Sequence, residues 1–294
     1  MTHCIPVALF AYNRPGHLRR TLECLQADRI PLLYVFSDGA RTVEHEPAVA
    51  EVRRILRSID WCELVLVERS ENLGLGVSIR TGVSEVLRHH SALIVFEDDL
   101  IAVPGTYAYL CAALHHYQDA EQVMSVTGWT HPRVTPPDVG DNPYFDGRGE
   151  CLVWGTWARA WQGMDRTALE LMQACQARGI DIMRYGDDLP EMAYAEQRRN
   201  IWAVRWLYLH LLRGALCLRP PRSLVEHIGF DAQATNAKHG SIWVNPPLPT
   251  SAPMPRQWPA PVEHPAVARL WRRAIAAQYH PVRRIISWFQ VRGR

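Results

Sequence analysis

Five short apolar runs, separated by stretches of helical period, constrain this chain more than any other feature. They are IPVALFA (5–11), LLYVFS (32–37), ELVLVE (63–68), ALIVF (92–96) and QVMSVT (122–127). Such alternation, sustained to about residue 127, is the pattern of βαβ units built around a parallel sheet. Between the first two runs, Leu18, Leu22 and Leu25 fall at i, i+4 and i+7 behind Pro15, a residue suited to a first helical turn. A second helix is predicted over 46–58 on Val49, Val52, Ile55 and Leu56. A third is predicted over 75–89 on Val77, Val83, Val86 and Leu87, and a fourth opens at Pro104.

The second half reads differently. Residues 129–149, WTHPRVTPPDVGDNPYFDGRG, are rich in Pro, Gly and Asp and form a long irregular connection, which in a compact domain usually serves function. Beyond it come WGTWARAW, a helical stretch near 166–178, a polar loop around YGDDLP, and the helix IWAVRWLYLHLLRG closing on Gly214. Prolines dominate 240–265, where regular structure should be sparse. Trp154, Trp157 and Trp161 stand at helical spacing and belong in a core, or one of them lines a sugar groove.

With 294 residues, 48% of them hydrophobic, the chain can bury one large core or two small ones. A formal net charge of +2 argues against a nucleic-acid binder, which usually carries a pronounced basic excess, and favours small-molecule or glycan partners. The seven cysteines are scattered and contain no C-x-x-C pair, so they read as reduced thiols of a cytoplasmic protein without a zinc site. The apolar run near the N-terminus is too short for a signal peptide or a membrane span.

In open parallel α/β sheets, ligands bind outside the carboxyl ends of the strands. Those positions read YNRP, SDGA, RSENLGLG and EDDL after the first four runs. They gather an arginine, an aspartate, a Gly-rich turn and three carboxylates at 97–99, an inventory suited to a nucleotide whose diphosphate is bridged by Mg²⁺ or Mn²⁺. On an extended chain Glu97 and Asp99 point one way and Asp98 the other. No G-x-G-x-x-G follows the first strand, which disfavours a dinucleotide-binding dehydrogenase.

The ordered set NRP, SDG, ENLGLG and a strand ending EDD resembles the nucleotide-binding half of GT-A-fold glycosyltransferases, close to bacterial relatives of the N-acetylglucosaminyltransferase I group. WGTWARAW and the stretch from WAVRW to GFDAQATN are similar to their acceptor half, so the likeness spans roughly 5–237. It implies an α/β fold of GT-A (Rossmann-like) type, a mostly parallel sheet flanked by helices with a helical and irregular acceptor-side half. The implied division is 1–128 for the nucleotide sugar, 129–240 for the acceptor within the same domain, and 241–294 as a Pro-rich segment and basic tail. The implied activity is metal-dependent transfer of a sugar from a nucleotide-diphosphate sugar, UDP-sugar favoured, to a glycan or lipid-linked glycan with inversion, in polysaccharide biosynthesis.

Carried over residue by residue, the resemblance assigns Asp99 to Mn²⁺ or Mg²⁺, Glu97 and Asp98 to the donor sugar region, Asp38 to the base, and Asn13 with Arg14 to the nucleotide. Asn72, Gly74 and Gly76 form a turn whose bare backbone would approach the donor. Relatives carry an aspartate after a tryptophan as the acceptor base, whereas this chain reads Trp202, Ala203. The base then comes from elsewhere, the course is not inversion, or the protein is a catalytically silent binder of sugar nucleotides. Glu150, Asp187, Asp188, Glu226 and Asp231 are the carboxylate candidates, with Glu150 and Asp188 foremost. A nucleotidyltransferase is a further alternative, although its glycine pattern is missing from FAYNRPGHLRR. His227 reads as a structural histidine or as a donor to a diphosphate or metal, and His239 as a loop residue able to close over the donor. The tail from Trp271, with Arg272, Arg273, Arg283, Arg284, Arg292 and Arg294, either lies on an anionic membrane at the inner face of the cell or packs back on the domain.

Overall fold

The computed structural model describes residues 4–229 and 243–278. The first four apolar runs form β1 (Val7–Ala11), β2 (Leu32–Ser37), β3 (Glu63–Glu68) and β4 (Ala92–Glu97). All are parallel and adjacent in the order β3, β2, β1, β4, with Phe10 opposite Phe36 on one side and Glu97 on the other. α1 (Pro15–Ala27), α2 (Glu46–Arg57) and α3 (Leu75–Val86) connect them; α1 and α2 bury the apolar stripes expected of them, whereas α3 buries Ile79 with Val83 and Val86 and leaves Val77 half-buried. Phe10 and Phe36 stack, and a Cβ on Gly82 of α3 would meet the Phe10 ring at 2.6 Å, so this glycine sets how closely α3 lies on the sheet.

After β4 the chain turns through Asp98 and Asp99 into β5 (Leu100–Ala102), then α4 (Thr106–His116) and β6 (Val123–Thr127). The fourth helix therefore begins two residues after Pro104, behind Gly105 in left-handed conformation. The 129–149 connection is not wholly irregular: it contains β7 (Tyr144–Asp146). Trp154 and Trp157 lie on β8 (Trp154–Trp157) rather than on a helix, and Trp161 ends the short α5 (Ala158–Trp161). All three are buried, with Trp154 stacked against Trp161 and Trp202.

α6 (Ala168–Ala177) follows with a capping box between Thr167 and Glu170. The YGDDLP segment, expected as a loop, instead starts α7 (Asp188–Glu196), with Asp188 and Pro190 in its first turn where they suit a helix. α8 (Ala203–Arg213) ends on Gly214 as expected and leads to β9 (Leu216–Arg219) and β10 (Val225–His227). β8 runs antiparallel to β4 and β6, and β9 runs parallel to β6, giving an eight-stranded sheet β3-β2-β1-β4-β8-β6-β9-β7. β10 pairs separately with β5.

Residues 243–266 hold no helix and little strand, as the prolines imply. α9 (Val267–Gln278) packs back, burying Trp271, Ala274 and Ile275 and leaving Arg272 and Arg273 exposed. The tail beyond it, with Arg283, Arg284, Arg292 and Arg294, lies outside the described residues, as do Asp231 and His239. No helix among the described residues is long and apolar enough to cross a membrane.

Candidate functional site

The strand direction puts the residues after β1, β2, β4, β6 and β9 along one edge. At its centre is the 97–99 turn. The Asp98 amide donates to the Phe10 carbonyl (3.0 Å), and Asp98 Oδ2 accepts the Tyr12 amide (2.9 Å), so β1 holds the turn through backbone bonds. Asp99 Oδ2 takes the Arg14 guanidinium at 2.9 Å and stands 3.2 Å from His227 Nε2. His227 arrives there because β10 pairs with β5, opposing His227 to Leu100, and the Ile228 amide donates to the Asp99 carbonyl (2.9 Å). Asn245 fixes its backbone from both sides, accepting the His227 N–H and donating to its carbonyl.

The electrostatics of the turn are crowded. Burial, then the charges of Asp99 and Asp98, push Glu97 well above the usual carboxylate range. Burial and Asp99 raise Asp98 to about 7 against the Tyr12 amide, which favours its ionised form. Burial acts on Asp99 in the same direction, but the His227 hydrogen bond, the His227 charge and Arg14 outweigh it and leave Asp99 below its ordinary value. Among the described residues no three His, Cys, Asp or Glu side chains converge as a complete ligand set. Asp99 with His227 offers two donors, one hard oxygen and one imidazole nitrogen. That fits a Mg²⁺ or Mn²⁺ ion whose remaining positions belong to diphosphate and water.

On the flank toward β2, Asp38 is buried and accepts the amides of Leu73 and Gly74 on its two oxygens, each at 2.9 Å. Asn72 donates to the Gly39 carbonyl (2.8 Å), and a Cβ on Gly39 would sit 2.5 Å from the Glu71 carbonyl carbon. Asp38 and Asn72 thus shape the turn before α3. The bare backbone of Gly74 and Gly76, expected to approach a donor, is filled by the Asn200 side chain, which bonds to the Leu73 carbonyl and the Val77 amide. Asn13 and Tyr12 lie beside the tip after β1; the Tyr12 hydroxyl reaches His45 Nδ1 (2.7 Å) and the Arg41 amide (2.9 Å).

The second half of the chain contributes a second charged cluster. Arg219, fully enclosed, donates from Nε to Asp146 (2.7 Å) and from Nη1 to Glu150 (3.1 Å), while Trp271 donates to the same Asp146 oxygen (2.6 Å). Arg148 grips Asp188 with both nitrogens, at 3.1 and 2.5 Å, and lies over the Trp271 ring. Glu150 and Asp188 are therefore each tied to a buried arginine. Burial, then the charges of Glu150 and Glu97, push the Cys151 thiol far up. Asp188 is held by Arg148 at the start of α7. Asp187 is exposed just before α7, Glu226 lies on β10 opposite Ile101, and Ala203 opens α8 against the core. Val153, between Cys151 and β8, is buried at φ 44°, a strained conformation for a β-branched residue, and its carbonyl takes the Gly128 amide (2.8 Å).

Sequence reading missed Tyr12, Asn200, Arg219 and Trp271, and it left His227 between a structural role and a diphosphate or metal donor. An arginine directly after the apolar LCL of β9 was the one available signal for Arg219, since a charge continuing a buried strand must find partners.

No protein-family profile matches the chain, and no curated protein matches it. Among solved structures, a mannosyltransferase from Pyrobaculum calidifontis in complex with GDP-Man and Mn²⁺ is similar at 18% identity and TM-score 0.37, over 57% of this chain. The chain spans 46% of that protein's length. A UTP-bound UGPase from Acinetobacter baumannii is similar at 10% identity and TM-score 0.37, over 77% of this chain and 89% of the other. At these scores the likeness says nothing of this chain's activity.

Proposed function

We propose that this chain is a divalent-metal-dependent glycosyltransferase that moves a sugar from a nucleotide-diphosphate sugar, UDP-sugars first, to a hydroxyl of a glycan or lipid-linked glycan. One observation carries the reading: at the carboxyl edge of the parallel strands, Asp99 joins an arginine and a histidine on one oxygen with two more carboxylates beside it. Asp99 and His227 would hold Mn²⁺ or Mg²⁺. A cation bound there supplies positive charge against the departing diphosphate. Arg14 adds a permanently charged fork suited to phosphate oxygens. Tyr12 and Asn13 border the nucleotide, with Asp38 shaping the neighbouring turn. Glu97 and Asp98 orient the donor sugar, and Asp98 is kept in register by the Tyr12 amide.

Inversion needs a proton acceptor at the acceptor hydroxyl. Glu150 is the residue assigned, because it lies shortly before Trp154, which opposes Val95 near the end of β4. Its contact with Arg219 must loosen before it can take a proton from the acceptor hydroxyl. A second reading, a silent sugar-nucleotide binder, draws on the same pairing together with Asp188 on Arg148 and Ala203 on α8. The two separate on incubation with UDP-sugars and Mn²⁺ without acceptor. A transferase releases UDP slowly and loses this in the Asp99→Asn variant, whereas a silent binder holds UDP and releases none from UDP-sugar. Finding no metal-dependent nucleotide binding would remove both.

A further inference from the structure

Arg14 and His227 meet Asp99 on the same oxygen, Oδ2, at 2.9 and 3.2 Å. The Arg14 and Asp99 side chains are 13% and 14% exposed, so the pair is largely removed from water and the carboxylate needs a positive partner. Gly229 covers them. A Cβ there would run into Asp99 Oδ2 and stand 3.0 Å from Arg14 Nη1, so the chain after β10 lies directly on the pair. Arg14 immediately precedes the first turn of α1, and its backbone carbonyl accepts the Leu18 amide (3.0 Å), so only its side chain has to move for the contact to change.

We infer that Arg14 is a stand-in for the cation: in the free chain it neutralises Asp99, and when a divalent ion takes that oxygen the guanidinium turns to the diphosphate arriving with it. The inference rests on the function proposed above. One carboxylate oxygen cannot serve a guanidinium and a dication in the same direction without bringing two positive charges into close repulsion. Arginine suits both stations, since it never loses its charge and its planar fork matches carboxylate and phosphate alike. The consequence is ordered affinity: a metal ion alone must displace Arg14 and binds weakly, while a diphosphate gives Arg14 a new partner and raises the affinity for metal.

Calorimetric titration of the full chain tests this with two probes, Mn²⁺ alone and UDP at saturating Mn²⁺. Arg14→Gln is expected to bind Mn²⁺ alone about tenfold more tightly and UDP at saturating Mn²⁺ about tenfold more weakly, each near 1.4 kcal/mol. Arg14→Lys keeps the charge, and with it the fold, but lacks the fork, and should shift both affinities the same way by roughly threefold. Opposite-sign shifts in either variant support the stand-in. If Mn²⁺ affinity is unchanged or falls in both variants while wild type still binds UDP in a Mn²⁺-dependent way, the stand-in is overturned and the proposed function stands. If wild type shows no Mn²⁺-dependent UDP binding, both are overturned.

Discussion

The two halves of the chain each gather three carboxylates and neutralise them by different means. Asp146, Glu150 and Asp188 meet guanidinium groups that are themselves enclosed, Arg219 and Arg148, in bonds of 2.5 to 3.1 Å. Glu97, Asp98 and Asp99 crowd together at a strand end, where burial and mutual repulsion push the first two up in pKa and Asp99 relies on Arg14 and His227. Each carboxylate of the first cluster has its cation, and Asp146, Arg219 and Trp271 tie β7, β9 and α9 together. The second still favours added positive charge, which is what a cation-binding tip requires.

If the cluster around Arg219 is structural, breaking it should cost most. Arg219→Met leaves Asp146 and Glu150 buried without their cation and is expected to lower stability by about 3–5 kcal/mol in urea unfolding. A loss under about 1 kcal/mol would mean that water reaches the cluster and the contrast between the halves is wrong. The same half should carry an acid-sensitive element. Burial depresses His210 to about 4, with its ring between the Ser125 hydroxyl (2.8 Å) and the Trp206 carbonyl (2.9 Å). The unfolded chain takes up this proton near pH 6.5 and the folded chain only near 4, so the stability it contributes is present above about 6.5 and lost as pH falls to 4. The expected loss is on the order of 3 kcal/mol. Comparing wild type with His210→Gln between pH 7 and 4.5 isolates it, and equal pH slopes would refute it.

The smallest effect belongs to the seam between the halves. Asn200, exposed, bridges the Leu73 carbonyl and the Val77 amide across Gly74 and Gly76. Asn200→Ala should lower stability by about 1 kcal/mol, read as a modest fall in melting temperature. No change would separate the seam from the turn that Asp38 organises.

Much of the first half was legible because each strand is a continuous apolar run and each helix has a clean stripe, as at Leu18, Leu22 and Leu25, all buried. The EDD turn was legible for the same reason: carboxylates closing an apolar strand fall at the sheet edge. The rest depends on distant pairings that spacing does not encode. His227 stands 128 residues from Asp99 and reaches it through the β5–β10 ladder. Asp188 looked like loop because Asp and Pro favour turns, yet both also suit a first helical turn, and the Arg148 contact holds it there. Gly74 and Gly76 showed that a close approach was needed, without showing that Asn200 would make it. Trp271 looked like part of a basic tail until its indole N–H met Asp146.

The claim at the centre is that the acidic tip binds a divalent ion together with a nucleotide diphosphate. Calorimetry of UDP binding with and without Mn²⁺, in wild type and Asp99→Ala, addresses it most directly. The account predicts Mn²⁺-dependent binding in wild type that disappears in the variant while the variant remains folded; equal Mn²⁺-dependent affinity in the two proteins would contradict it.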